Sequence, residues 1–564
     1  MTTVFTNAAV FTGGEHSSIQ QAMAVESGRV LAVGDRAAVR SIAGETAQEI
    51  DLEGCLVAPG FVEAHTHMLM LGQTLDKVQL RECADLGEIH ERLAHRRLEQ
   101  PDARCILGSG WMFDAIPGGQ PTAAMIDEVI SDIPVLLDSN DVHSSWVNTA
   151  ALEAMGIGPQ TPNPPGGEIV RDSDGMPTGL LLENAAIEHA WTYLEAVTTD
   201  DDRDRFLDSA FSAYLEYGVT AASDMALGEA ETATFRRRID RDGRLPFPVT
   251  GYWLLRPSGD PERDLESVRR AAEIRDQIAA ASGSEWFRIV GVKFILDGVI
   301  DACTAAMREP FADGSHAEPI WSFESAAPVA VAADSYGFDL AMHAIGDHAS
   351  EIALNLVAEC VRANGPRIRA PRIEHLESVT DETIARMAAS GVFASLQPVH
   401  CDPAIMPNWK AMLGDERAES GFPWHKFRAA GVRIALGTDA PTAPHQAAHN
   451  LFIALTARSA LSPGPETYHP ERAFTAAQAM SSLTLGPARA GGFDDGIGEL
   501  VPGGRANLVI LDVDPFSNDS GRLLHARVRS TIVDGELAWS DADSSGHRSS
   551  ELSQGLPAHC RASV

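Results

Sequence analysis

Cysteine is scarce and scattered in this chain of 564 residues. The seven present (Cys55, Cys83, Cys105, Cys303, Cys360, Cys401 and Cys560) are odd in number and include no CxxC pair. That excludes a zinc ribbon and a secreted disulfide framework, both of which need cysteines paired at recurring spacings. Positive charge is also short, with 44 Lys and Arg against 79 Asp and Glu, a formal charge of −35. Nucleic acids and anionic membranes are bound through clustered cations, so neither partner is expected. The acidic excess reads as a solubilising surface. No apolar run reaches the roughly 18 residues a bilayer span requires. The opening MTTVFTNAAVFTGG lacks a basic segment followed by a long apolar one, so no signal peptide and a cytoplasmic location are expected.

The composition that remains, 44% hydrophobic and 22% charged, is that of an ordinary globular protein rather than a disordered one. Residues 1–58 carry short strand-like runs between turn signals, such as AMAVESGRVLAVG. A second strand-rich stretch, 495–541, holds ANLVILDVDP and VRSTIVDGELAW. Neither stretch can bury a sheet face alone, so together they predict one composite β-sandwich. In between, apolar runs alternate with helical segments: GVTAASD, FPVTGYWLL, RIVGVKFILDG, FDLAMHAIGD, RIEHL, GVFASLQP and VRIALGTDAP. This alternation predicts a parallel barrel or a doubly wound sheet over 59–75 and 201–494. Several runs end in a polar residue, and in barrels that end of the strands carries the chemistry. The stretch 76–200 fits no single β/α unit. Its Pro- and Gly-rich GIGPQTPNPPGGEIVRDSDGMPTG predicts loops and a hairpin, hence an inserted α+β lobe. Residues 542–564 are small and polar, and disorder is expected there.

The sharpest motif is APGFVEAHTHM at 58–68. His65 and His67 are two apart, so on a strand both imidazoles face one side and suit a divalent ion. An HxH pair by itself is a weak sign. Lys293 in GVKFILDG, His343 in AMHAIGD, His375 in RIEHLE and Asp439 in GTDAP each follow or end a later strand. Any one of them alone is more often a packing or loop residue. Taken jointly, closure of the sheet would bring them around one axis.

That series, with Pro-Gly-Phe ahead of HxH, is similar to the amidohydrolase superfamily. The closer resemblance is to its amidohydrolase-3, or YtcJ-like, branch, which includes N-substituted formamide deformylases. Matching segments such as GSGWMFDAIPGGQPT, SSWVNTAALEAMGI and GELVPGGRANLVILDVDPF extend it over residues 1–541. The resemblance implies an α/β fold: a (β/α)8 TIM-like barrel with a composite β-sandwich from both termini and an inserted lobe. It implies hydrolysis of a carbon–nitrogen bond in a non-peptide amide, an N-substituted formamide or a carbamate. His65, His67 and Asp439 would hold one divalent ion, zinc first, although the same donors accept manganese, iron or nickel. His343 and His375 would hold a second, bridged to the first by Lys293 if CO2 carboxylates it. An ammonium group has no acceptor, so the two-ion arrangement requires that carbamate. With one ion, Lys293 would pair with a carboxylate instead.

Further roles follow from the same resemblance. Asp439 is expected as general base and His143 as an oxyanion donor. Trp111, Trp146 and Asn148 of the lobe, and Asp297 after a barrel strand, are expected to contact substrate. Cys303, His400 and His445 also follow barrel strands, where packing roles outweigh pocket roles. Glu63 stands where Asp often precedes the HxH pair and is expected to orient a histidine. Val299, Ile300, Asp301, Ala302 and Cys303 replace the smaller, polar residues of many relatives. A deaminase or cyclic-amide hydrolase on the same scaffold is the alternative, and phosphotriester hydrolysis needs the same metals. A catalytically silent barrel is disfavoured because every ligand position is filled. An exposed sandwich edge is compatible with a homodimer.

Overall fold

The computed structural model describes residues 2–139, 144–164, 166–517 and 520–541. The chain divides into two compact units, Leu69–Ala210 and the remainder on either side of it. The larger unit contains eight parallel strands: β1 Phe61–Thr66, β2 Val219–Leu227, β3 Val249–Leu255, β4 Phe287–Ile295, β5 Asp339–Ala344, β6 Arg372–His375, β7 Phe393–Leu396 and β8 Ile434–Leu436. Each pairs with the next in chain order, from β1 to β8. A parallel bridge between Thr66 and Ala440 brings the two ends together. Asp439 N donates to His65 O at 2.8 Å and His67 N to Ala440 O at 3.0 Å across the same seam. The result is a nearly closed parallel barrel.

The strands form because their apolar runs are buried on both faces, as a sheet wrapped in helices requires. Every residue of β1, β6 and β7 is buried. The helices between them follow local rules. Pro261–Ala280 starts at Asp260, whose side chain accepts from Glu262 N, and its buried residues include Val268, Ala271 and Ile278. Asp381–Ser390 is capped by Thr380 and ended by Gly391.

The two ends of the chain share one core, as their separate shortness predicts. A four-stranded sheet from the N-terminal part and a five-stranded sheet containing Leu508–Leu511, Val528–Val533 and Glu536–Ser540 complete the sandwich. Phe5, Met23, Val25 and Ile50 pack in one cluster with Leu508, Ile510 and Ile532.

The smaller unit is the inserted lobe, built on a mixed six-stranded sheet. Its predicted hairpin is present as Gly167–Arg171 antiparallel to Pro177–Glu183. The unit extends beyond 76–200 at both ends because the helix Met68–Asp76 packs tightly on the segment around Phe206. A Cβ at Gly72 would lie 1.7 Å from Phe206 O, so glycine permits that approach. The segment 542–564, where disorder is expected, lies outside the described residues. Among the described residues no helix is long and apolar enough to cross a membrane.

Candidate metal centre and active site

Four imidazoles converge at the C-terminal ends of the barrel strands. Ring centroids are 5.5 Å apart for His65 and His67, 5.1 Å for His65 and His375, and 4.4 Å for His343 and His375. Partners assign the ring nitrogens. His65 Nδ1 lies 2.7 Å from Glu374 Oε2 and His375 Nδ1 lies 2.9 Å from Gln397 Oε1. In each case Nδ1–H donates to the oxygen, leaving the Nε2 lone pair free. His343 is reversed: its Nε2 lies 3.1 Å from Gly298 O, which leaves Nδ1. Asp439 Oδ1 stands 3.3 Å from His65 Nε2 and 3.2 Å from His67 Nε2. Lys293 Nζ stands 3.5 Å from His65 Nε2.

This arrangement fits a divalent cation. Donor atoms of His65, His375 and Asp439 all lie within 4.8 Å of one another. Asp439 Oδ1 and His67 Nδ1 are buried without a hydrogen-bond partner, which is costly unless a ligand supplies one. A ligating imidazole must be neutral. Burial, with the charge of Lys293, pulls His65 down to about 4 and His343 to about 3. Burial and the neighbouring His343 hold His375 well below the ordinary range. Burial also brings Lys293 down to about 8. Burial alone would raise the Asp439 carboxyl, yet the adjacent imidazoles outweigh it and hold it well below the usual carboxylate range.

The surrounding residues hold these donors in place. Glu374, which orients His65, is gripped by Arg372 through a 2.6 Å Nε–Oε1 bond. Arg372 Nη2 also donates to Ala64 O and Ser395 Oγ, both at 2.7 Å, so one buried guanidinium ties β1, β6 and β7. Burial opposes the charge on Glu374, but Arg372 and His65 hold it well below its ordinary value. Glu63 differs from expectation. It binds backbone rather than an imidazole, accepting from His65 N at 2.9 Å and Thr438 N at 2.8 Å. A Cβ on Gly437 would fall 2.6 Å from Glu63 Oε1, so this clamp needs glycine there. Burial raises Glu63 to about 7.

Asp297 also departs from its expected role. It is fully buried and accepts from Ala306 N, Ile345 N and Gly346 N at 2.8–3.0 Å, with Oδ1 3.4 Å from His343 Nε2. It fastens the loops after β4 and β5 and does not line the pocket. His375 and Asp439 have φ of 77° and 59°, left-handed backbone that non-glycine residues adopt rarely and that concentrates at functional sites.

The lobe residues expected to touch substrate are core residues. Trp111 and Trp146 are fully buried, their indole N–H groups donating to Leu137 O and Thr122 O at 2.9 Å. Asn148 Oδ1 accepts from Val135 N and Ala151 N, and Nδ2 donates to Ile130 O and Ile133 O. Those bonds use the whole amide to brace the lobe's sheet and cap a helix, leaving nothing for a ligand. His143 lies outside the described residues. Cys303 Sγ lies 3.3 Å from Met412 Sδ, and His445 packs edge-on against Tyr217.

The barrel mouth opens into a pocket of about 440 Å3 lined by the metal-site residues, by Glu377 and His400, and by an apolar wall that includes Leu254, Val299, Ile405 and Trp409. Glu374, Arg372 and Glu377 were not anticipated from sequence. The first two carry one legible signal: charges two apart in an otherwise apolar strand face the same side.

Comparison with known proteins agrees with this geometry. The profile of the amidohydrolase family matches residues 48–538, and the chain belongs to that family. It is 31% identical to the N-substituted formamide deformylase of Arthrobacter pascens, over 94% of this chain and 97% of the relative. It is 26% identical to the YtcJ amidohydrolase of Bacillus subtilis strain 168, over 94% and 98%. Among solved structures, a metal-dependent hydrolase from Pyrococcus furiosus superposes with a TM-score of 0.74 at 26% identity, covering 92% of this chain and 100% of that one. The protein is thus a hydrolase of carbon–nitrogen bonds other than peptide bonds, of the metal-dependent amidohydrolase superfamily.

Proposed function

We propose that the protein hydrolyses an N-substituted amide, with formamides and carbamates the substrates to test first, and that Asp439 carries the proton through the reaction. The observation that carries this reading is Asp439 Oδ1, buried without a hydrogen bond between two imidazole nitrogens. His65, His67 and Asp439 would hold one ion, zinc first. His343 and His375 would hold a second, shared through a carboxylated Lys293. When bound, the ion polarises the substrate carbonyl and lowers the pKa of water. A lysine brought down to about 8 by burial has the neutral amine that CO2 requires within reach of working pH.

The chain's own residues do the rest. Asp439, kept ionised, takes a proton from the attacking water and delivers it to the departing nitrogen. Unprotonated, that nitrogen is a poor leaving group, so the second transfer matters most for amides. Glu374 holds the His65 tautomer, and Glu63 holds the backbone of His65 against Thr438. The pocket's apolar wall receives the nitrogen substituent and keeps water from it. The Arthrobacter relative, named for deformylation of N-substituted formamides, supports this substrate class.

A screen of N-formyl, N-acyl and carbamate compounds with added zinc or manganese tests the reading, by primary or secondary amine release. Ammonia as the only nitrogen product would assign a deaminase instead. No turnover of any amide by the ion-loaded protein would end the proposal.

A further inference from the structure

His400 belongs to no ligand set in the reading above, yet the loop after β7 is built to aim it. At the loop's start Gln397 holds His375. Next, Val399 N donates to Asn450 Oδ1 at 3.1 Å, and Asn450 Nδ2 donates to Gly437 O at 2.8 Å, tying the loop to the end of β8. At its far end Asp402, fully buried, accepts from Ser459 Oγ, Ala460 N and Leu461 N at 2.5–3.1 Å. Between these anchors the His400 ring stacks on His375 with centroids 5.6 Å apart and planes 11° from parallel.

The orientation of that ring is fixed by Glu377. His400 Nδ1 lies 3.2 Å from Glu377 Oε1, and Nε2 lies 3.7 Å from Asp439 Oδ2. Glu377 is itself held, its backbone carbonyl accepting from Phe422 N at 2.7 Å. A separation of 3.7 Å is too long for a direct hydrogen bond and leaves both atoms able to contact one intervening group. His400, Glu377 and Asp439 all line the pocket.

From this geometry we infer that His400 is a further catalytic residue, its Nε2 contacting the scissile amide beside Asp439, with Glu377 as the positioning residue that aims it. The inference rests on the amide-hydrolase reading and deepens it. It sets His400 apart from the metal donors, although donor atoms of His375, Glu377 and His400 also lie within 4.8 Å of one another. In that trio the Glu377 carboxylate and His400 Nδ1 already engage each other.

The test uses full-length, ion-loaded protein and the best amide found for the wild type. His400→Asn, Glu377→Gln and the double variant are compared for bound ion, kcat and KM. His400→Asn is expected to keep its ion content and KM while kcat falls about 100-fold, the scale for a lost proton-handling or hydrogen-bonding group in the transition state. Glu377→Gln should lose about 10-fold, the lower end for a residue that only orients another. The double variant should be no slower than His400→Asn, because Glu377 acts through that ring. Loss of ion from His400→Asn would make His400 a ligand and overturn the inference. So would an undiminished kcat, or losses that multiply in the double variant. A wild type that releases no amine would overturn the hydrolase reading itself, and this inference with it.

Discussion

In the lobe, the indoles of Trp111 and Trp146 and the amide of Asn148 are buried with their polar atoms paired. At the barrel mouth, Asp439 Oδ1 and His67 Nδ1 are buried with no hydrogen bond. The first arrangement stabilises the fold. The second costs about 1–3 kcal/mol per unpaired group, a cost that a bound ion would offset. Neither burial nor a missing partner alone marks chemistry in this protein, since His90 Nε2, Trp321 Nε1 and Trp424 Nε1 are also buried without a hydrogen bond; at the barrel mouth the unpaired atoms lie where metal-compatible donors converge.

Substitutions on the two sides should behave differently. Asp439→Asn should lower turnover at least about 1,000-fold while leaving the far-ultraviolet circular dichroism, and the melting temperature compared ion-free with ion-free wild type, nearly unchanged, since it deletes a charge that supports no backbone. Amine release with ion added and thermal melting without it check this. An Asp439→Asn protein that retains activity would erase the contrast. Chelation comes next: removing the ion should abolish turnover and lower the melting temperature, and zinc should restore both. A melting temperature indifferent to chelator would mean that no ion relieves the unpaired atoms.

Glu374→Gln probes the boundary between the two kinds of site. It keeps the shape but weakens the acceptor for His65 Nδ1–H, so ion affinity or activity should fall about 10–100-fold. Titrating the apo variant with zinc gives the answer, and an unchanged affinity would remove Glu374 from the support of the centre. Asn148→Ala is the lobe's counterpart. It leaves the backbone groups of Val135, Ala151, Ile130 and Ile133 without their side-chain partner, for a loss of about 2–4 kcal/mol in a urea unfolding curve, with bound ion per folded molecule unchanged.

The same contrast explains what was legible in the sequence. His65, His67, His343 and His375 can be read because they sit at or near strand ends, and Lys293 lies within its strand; the order of strands is the order of the chain. The composite sandwich can be read because each half is too small to stand alone. The Glu374–His65 bond joins residues 309 positions apart, and no local pattern encodes that meeting. His400 is visible as a histidine after a strand, but its direction depends on Glu377, Asn450 and Asp402, which only the folded loop brings together. Trp111, Trp146 and Asn148 are expected at the pocket only from the family resemblance, and an aromatic or an amide in an insertion reads alike whether it faces a ligand or its own core. Asp297 follows the same logic: its spacing after β4 suits a pocket residue, while three backbone N–H groups claim its carboxylate.

The smallest effect is expected from a paired carboxylate of the larger unit, Asp334. Arg369 reaches it at 2.7 and 2.8 Å and Arg367 at 2.8 Å, joining the end of the helix Phe323–Ser335 to the segment before β6. Burial pushes this carboxyl up, but hydrogen bonds from Arg369 and Asn364 and the charge of Arg367 outweigh it and hold it below its ordinary 3.8. A carboxyl with a depressed folded pKa contributes stability that is fully present above 3.8 and is lost as pH falls through the folded value. Urea midpoints should therefore decline as pH drops below about 4, and Asp334→Asn should flatten that decline while lowering stability at neutral pH. A variant whose acid limb matches the wild type would show that Asp334 is held no more tightly in the folded chain than in the unfolded one. The guanidinium pairs would then do no more for this buried carboxylate than water does in the unfolded chain, offsetting the cost of its burial without adding stability.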